Sequence, residues 1–337
     1  MKCTDKNCSS NKRFTLYARK LFSALFLTVL FLTGCGQDRF DMPYTADLEV
    51  SSFRIVTLEE ERGTAVPFAS DLCVVNSDIT SSSVDMSKAQ GAGLFDINKH
   101  NTLYAKNVHE RLYPASLTKM MTALVALKHS SGDMMLTASA NVRILESGAQ
   151  VSGIKEGDKM TLDQALHLLL LNSGNDAAVM VAEGVAGSVE AFVAMMNEEA
   201  LALGATNTNF TNPHGLNDEN HYTTIYDMYL IMNEAVNYSL FNEIISMDSY
   251  TTVYTDKNGA SKEISVNNTN RYLQGEAVPE GLTVLGGKTG TTSAAGHCLS
   301  LITKDSSGNP YISIVMKAES GDLLYSQMTD LLEEINN

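Results

Sequence analysis

The hydrophobic period of this chain changes twice along its length, and that change limits the folds open to it. Strand-like segments come first, at Leu72-Cys73-Val74-Val75 and Gly93-Leu94-Phe95-Asp96-Ile97, with turn-rich sequence between them. From Ser116 the apolar residues Leu117, Met120, Met121, Leu124 and Leu127 recur at helical spacing, which predicts an amphipathic helix. Thr161-Leu162-Asp163-Gln164 has the form of a capping box and opens an apolar helix through Leu171. Further helices are predicted from Asp176 to Ala186, from Ser188 to Leu203 with Gly204 as the stop, and from Thr224 to Val236. After Tyr250 the pattern returns to strands, at Tyr250–Tyr254, Ile264–Val266, Thr283–Lys288, Cys298–Thr303 and Tyr311–Lys317. Gly259, Gly308 and Asn309 supply turns between them, and Leu323 to Ile335 closes the chain as an amphipathic helix.

Strands at both ends and helices in the middle predict one α/β domain of the α+β type, over residues 71–337. Its expected architecture is a mainly antiparallel sheet flanked by a helical cluster. A chain of 337 residues is long enough to bury a sizeable core, and it shows no internal repeat.

Ahead of that domain lies a different kind of sequence. Leu21 to Thr33 is an apolar run of 13 residues, preceded by Lys12, Arg13, Arg19 and Lys20. A membrane span needs roughly 18 apolar residues, so the run reads as a secretory signal with a basic leader. Leu32-Thr33-Gly34-Cys35 follows, which resembles a bacterial lipobox: cleavage before Cys35 and lipid attachment to it are expected. Residues 1–34 are then the signal peptide, and residues 35–70, acidic and without apolar period, a tether. Cleavage leaves 18 basic and 38 acidic groups, a formal net charge of −20. That charge argues against a nucleic-acid partner and against electrostatic attachment to anionic lipid, so the anchor has to be hydrophobic. Of the cysteines only Cys35, Cys73 and Cys298 remain. They make neither a disulfide framework nor a zinc site, and Cys73 with Cys298 reads as a bridge or as two isolated thiols.

Three short patterns carry the chemistry. Ser-x-x-Lys occurs at Ser9/Lys12, Ser116/Lys119 and Ser152/Lys155; Ser-x-Asn occurs five times; Lys-Thr-Gly occurs once, at Lys288-Thr289-Gly290. Context selects among the copies. Ser116 follows Pro114 at the start of a predicted helix, where backbone N–H groups favour developing negative charge. Lys119, three residues on, shares its face and takes the serine proton if burial and a second cation lower its own affinity for protons. Lys288 is the candidate for that cation. Taken alone, the pair is also what a serine helix cap beside a surface lysine looks like. Ser173-Gly174-Asn175 is a polar trio squeezed between apolar helices, which reads either as a catalytic cluster or as a helix cap. As a cluster, Ser173 shuttles a proton to the leaving amine and Asn175 holds the substrate amide. Glycines on both sides of Lys288 let a substrate backbone lie along the strand, with Lys288 and Thr289 offering charge and a hydroxyl to a carboxylate.

Ser116, Ser173 and Lys288 follow in order with gaps of 57 and 115 residues. That order and spacing resemble the penicillin-binding proteins and serine β-lactamases. Leu112 to Leu124, Leu170 to Ala178, Thr211-Asn212-Pro213-His214-Gly215-Leu216, His221-Tyr222-Thr223-Thr224 and Gly287 to Thr292 together resemble the S11 peptidases, low-molecular-weight D-Ala-D-Ala carboxypeptidases. The resemblance covers about residues 71–335. It implies the β-lactamase/penicillin-binding transpeptidase fold and a penicillin-sensitive serine enzyme acting on peptidoglycan stem pentapeptides, without a cofactor.

In the implied mechanism Ser116 attacks the penultimate D-Ala carbonyl, Lys119 acts as base, and terminal D-Ala leaves. Ser173 and Asn175 complete the catalytic set, and Lys288, Thr289, Gly290 and Thr291 bind substrate. The resemblance also implies an oxyanion hole from the backbone N–H groups of Ser116 and Thr291. Many relatives carry a further β-rich domain and a C-terminal anchor. Here the chain ends with the expected catalytic domain, and lipid on Cys35 would tether it to the extracytoplasmic face of the cell membrane. Thr291 stands where some relatives have a histidine, and His214 reads as structural rather than catalytic. A class A β-lactamase shares the three patterns but needs a Ser-Asp-Asn second motif and a deacylating glutamate in Glu-x-x-Leu-Asn, and neither occurs here. The three patterns also suit a transpeptidase or endopeptidase of the same superfamily, and an inactive wall-binding lipoprotein would carry them without the activity.

Overall fold

The strand expected at Gly93–Ile97 is longer than its apolar centre and pairs on both sides. The computed structural model describes residues 69–337. The signal peptide, the tether up to residue 68 and Cys35 lie outside the described residues. In chain order come β1 (Ala89–Asp96), β2 (Asn101–Lys106), α1 (Thr118–His129), β3 (Met135–Thr137) and β4 (Lys159–Thr161). Then follow α2 (Leu162–Leu170), α3 (Asn175–Ala186), α4 (Val189–Ala202), α5 (Ile225–Ala235) and α6 (Ser239–Ser246). The last part holds β5 (Ser249–Thr255), β6 (Ser261–Asn267), β7 (Thr283–Thr292), β8 (Gly296–Lys304), β9 (Pro310–Ala318) and α7 (Gly321–Glu333).

The class is α+β, as expected, but the strands form two antiparallel sheets instead of one. The larger has the order β2-β1-β9-β8-β7, so the first strands of the domain pair with the last. The smaller, β3-β4-β5-β6, takes the β5–β6 hairpin that the strand pattern alone places in the main sheet. Its first two strands have only three residues each and are too short to show a period in the sequence.

One face of the larger sheet packs on the helical cluster. Phe95 stacks on Tyr229 of α5 with ring centroids 4.2 Å apart, and Ile312, Ile314 and Met316 of β9 join the same core. The opposite face, with Leu94, Leu299, Leu301 and Val315, is covered by Leu324, Met328, Leu331 and Leu332 of α7. Burying each such side chain contributes about 1.5–3 kcal/mol.

Helix α1 departs from its expected amphipathic form. Thr118 through Ala126 are all buried, because α2, α3, α4 and α5 surround the helix. The capping box is present: Thr161 Oγ1 accepts from Gln164 N–H at 3.2 Å and Gln164 Oε1 from Thr161 N–H at 2.9 Å. Gly204 (φ 81°) ends the run after α4 in the left-handed region, where glycine carries no Cβ penalty.

Leu72–Val75 is not a strand. The Cys73 backbone is tied instead to two tyrosines of α5, its N–H donating to Tyr229 Oη and its carbonyl accepting from Tyr226 Oη, each at 2.9 Å. Cys73 and Cys298 are both buried free thiols, and no bridge joins them.

Candidate active site

Ser116 does not cap a helix. It lies in a single 3-10 turn, Ala115–Leu117, that feeds directly into α1, and no side chain caps either element. Lys119 in the first turn of α1 is wholly buried. Its Nζ lies 2.8 Å from Ser116 Oγ, 2.7 Å from Asn175 Oδ1 and 2.7 Å from the His214 carbonyl. The last two partners only accept hydrogen bonds. A neutral Lys119 therefore spends its two hydrogens on them and turns its lone pair toward the serine hydroxyl.

Burial lowers the proton affinity of Lys119 well below the ordinary lysine range, the charge of Lys288 lowers it further, and Asp176 works weakly in the other direction. Lys288 is itself buried and is pushed down to about 7 by that burial. Its ammonium donates to Ser173 Oγ at 3.0 Å and to the Thr289 carbonyl at 2.9 Å. The lysine thus meets the second motif directly, and its side chain is buried beside the cleft-lining Ser173 and Thr289.

Ser173 occupies the left-handed region at φ 61°, unusual for a residue with a side chain, in the turn between α2 and α3. Gly174, not Ser173, precedes α3 as its cap, and a Cβ there would stand 2.3 Å from Ser152 Oγ. Asn175 N–H donates to the Gln150 carbonyl at 2.9 Å. Next to it the buried Asp176 accepts the N–H groups of Ser152 (2.8 Å), Gly153 (2.8 Å) and Ile154 (2.9 Å). These bonds hang the loop around Glu146–Ser152 on the start of α3, where it forms one wall of the cleft.

Strand β7 forms the other wall as an edge of the larger sheet. Gly290 is pressed against the reactive turn, and a Cβ there would lie 2.9 Å from Ser116 N and 3.1 Å from the Pro114 carbonyl. Thr289 Oγ1 hydrogen-bonds Thr269 Oγ1 at 2.5 Å across the cleft mouth. The space between the walls is about 570 Å³, in the usual range for a small-molecule or peptide site. Ser116, Ser173, Asn175, Thr289, Gly290 and Thr291 all line it. Among the described lining residues Glu146 is the one carboxylate, and none is a lysine or arginine.

All eight expected site residues in the described region therefore converge. His214 contributes its carbonyl, while its Nδ1 accepts from Leu216 N–H at 3.2 Å. Burial, then Lys119 and His221, push its imidazole down to about 3. Sequence reasoning misses Asp176, Thr269 and Glu146. Asp176 has a signal in its place beside Asn175, whereas Thr269 and Glu146 sit in polar loops without one.

The family model for D-alanyl-D-alanine carboxypeptidase, peptidase S11, matches residues 78–320. The D-alanyl-D-alanine carboxypeptidase DacF of Bacillus subtilis (strain 168) is 34% identical over 252 residues, 73% of this chain and 61% of that protein. DacA of Haemophilus influenzae is 35% identical over 239 residues, 68% of this chain and 56% of that protein. The chain thus spans well under two thirds of the length of these curated relatives. The crystal structure of the Streptomyces K15 DD-transpeptidase superposes with a TM-score of 0.67 at 28% identity, covering 77% of this chain and 98% of that one. The D-alanyl-D-alanine carboxypeptidase from Mycobacterium tuberculosis H37Rv gives 0.68 at 27% identity, covering 78% and 96%.

Proposed function

The chain belongs to the D-alanyl-D-alanine carboxypeptidase family, peptidase S11, and from that premise we propose that it removes the terminal D-Ala from peptidoglycan stem pentapeptides through an acyl-enzyme on Ser116. The observation that carries this reading is the buried, proton-poor Lys119 set 2.8 Å from Ser116 Oγ. Neutral Lys119 accepts the hydroxyl proton as Oγ bonds to the carbonyl carbon of the penultimate D-Ala. Ser116 and Thr291 N–H groups receive the oxyanion. The C–N bond then breaks, the amine of the departing D-Ala takes a proton by way of Ser173, and water later hydrolyses the ester. Thr289 and Thr291 hydroxyls, above the buried charge of Lys288, receive the substrate carboxylate, and a β-lactam stalls as the acyl-enzyme.

Two measurements test this. The full chain is expected to release D-Ala from a muramyl pentapeptide analogue and to be labelled by fluorescent penicillin, and Ser116→Ala to lose both. Unimpaired labelling of Ser116→Ala would sink the nucleophile. Rapid turnover of penicillin without lasting label points to a β-lactamase.

Transfer to an acceptor amine is the second reading, favoured by the superposition on a protein named a DD-transpeptidase. Mass spectrometry of the products from pentapeptide plus acceptor amine separates hydrolysis from transfer. The lipobox-like Leu32–Cys35 supports a place on the extracytoplasmic face of the membrane through lipid on Cys35. Cys35→Ser is expected to abolish incorporation of labelled fatty acid, and persistent incorporation overturns the anchor.

A further inference from the structure

A second chain of hydrogen bonds runs behind the reactive turn and ends on residue 115. His221 is 1% exposed and accepts the Thr211 N–H on Nδ1 at 3.0 Å, with the Thr211 hydroxyl 3.2 Å from the same nitrogen. With Nδ1 occupied as acceptor, the neutral ring carries its hydrogen on Nε2. Nε2 lies 2.8 Å from Thr118 Oγ1, and that hydroxyl, wholly buried, donates to the Ala115 carbonyl at 2.8 Å. Burial keeps the imidazole neutral, pushing it down to about 4; Asp218 opposes this and Lys119 reinforces it. The relay therefore has one direction, from ring to hydroxyl to carbonyl.

The residue at its end needs holding. Ala115 is buried and sits at φ 47°, a left-handed conformation that is strained for a residue with a Cβ and persists only where the surroundings impose it. Gly215 packs on the same carbonyl so closely that a Cβ there would stand 1.9 Å from the oxygen. The Ala115 carbonyl and the Ser116 N–H belong to one planar peptide unit. The two point to opposite edges of that unit, so fixing the oxygen fixes the direction of the N–H, whose nitrogen lies against Gly290 of β7. We propose that Thr118 and His221 are positioning residues that hold the Ala115–Ser116 peptide so that its N–H meets the oxyanion formed on the substrate carbonyl. This rests on Ser116 as the nucleophile. It assigns a task to the hydroxyl within the Ser-x-Thr-Lys sequence and to a histidine that touches neither substrate nor nucleophile.

The test measures acylation of the full chain by a fluorescent penicillin under conditions that separate affinity of the first complex from the rate of the covalent step. Thr118→Val keeps the shape and removes the donor. It is expected to slow the covalent step about 10- to 100-fold while initial affinity changes less than about 2-fold. Thr118→Ser is expected to restore the rate to within about 3-fold, which no loss of packing alone would allow. A folded Thr118→Val that acylates at the wild-type rate, or a serine variant as slow as the valine one, overturns the proposal. Should Thr118→Val not fold, the same comparison is read from His221→Gln, which keeps an acceptor and a donor, against His221→Leu. Equal rates for those two also overturn it. Failure of the wild type to acylate at all refutes the underlying nucleophile reading instead.

Discussion

Lys288 Nζ donates to Ser173 Oγ at 3.0 Å, a bond between residues 115 positions apart that joins the β7 edge to the turn between α2 and α3. It links two of the three sequence patterns physically, and Asn175 to Lys119 links the second to the first. Two side-chain groups, Lys288 with Ser173 and Lys119 with Ser116 and Asn175, thus meet across the Ser173-Gly174-Asn175 turn, so a change in that turn is expected to be felt at Ser116.

Lys119→Arg is the sharpest probe of the base. Arginine carries a fixed charge and never gives up its proton under protein conditions. Acylation by penicillin is expected to fall about 10²- to 10⁴-fold, as far as for Lys119→Met. An arginine variant that retains most of the rate would mean that Lys119 acts through its charge.

The pH dependence of stability reports on Lys288. Its proton affinity in the fold is lowered to about 7, against about 10.4 in an unfolded chain. A group lowered in this way contributes stability that is complete above the unfolded value and is lost as pH falls through about 7. Relative to Lys288→Met, the wild type is therefore expected to gain thermal stability between pH 7 and pH 9. A constant difference in Tm would contradict a lowered proton affinity of the buried Lys288.

His221 sets a second window on the acid side. Its folded value of about 4 lies below the ordinary 6.5, so its contribution is complete above about 6.5 and fades toward pH 4. Charging the ring also places a hydrogen on Nδ1 against the Thr211 N–H. His221→Gln is expected to flatten the loss of stability between pH 6.5 and 4 by roughly 3 kcal/mol, read from denaturant unfolding at each pH.

Asp176→Ala leaves three backbone N–H groups of the cleft wall without their acceptor. A loss of about 1–3 kcal/mol is expected, together with faster amide exchange at Ser152, Gly153 and Ile154. Unchanged exchange there would show that the loop is held by other contacts.

Gly290→Ala drives a methyl group to 2.9 Å from Ser116 N. The strand and the turn have to separate, with an expected cost of about 1–3 kcal/mol and a slower acylation. Acylation at the wild-type rate with unchanged stability would show that the two segments yield freely.

The parts of this fold that are legible in the sequence share one property: their pattern is local. The helices α2 to α5, the strands of the last third and the Thr161 capping box all follow from periods and caps within a dozen residues. Leu72–Val75 has a strand's composition, yet Tyr226 and Tyr229, about 150 residues away, take its backbone partners. Helix α1 reads as amphipathic because Lys119 and Lys128 interrupt its apolar face, and only the surrounding helices show that Lys119 points inward. The order of Ser116, Ser173 and Lys288 marks the site. The direction of Lys288, the Asp176 clasp and Thr269 depend on how β7 meets the helical cluster, which no local spacing encodes.

Strand β1 is hydrogen-bonded to β9, so the earliest strand of the larger sheet finds its place only when the latest one arrives. Such long-range pairing folds slowly. In the unfolded chain Lys119 is an ordinary solvated lysine with a proton affinity of roughly 10.4, and Ser116 is an ordinary alcohol. Their altered setting is a product of tertiary structure: it needs the helices packed around α1 and the strand β7 that carries Lys288 to Ser173 and Gly290 to the Ser116 turn.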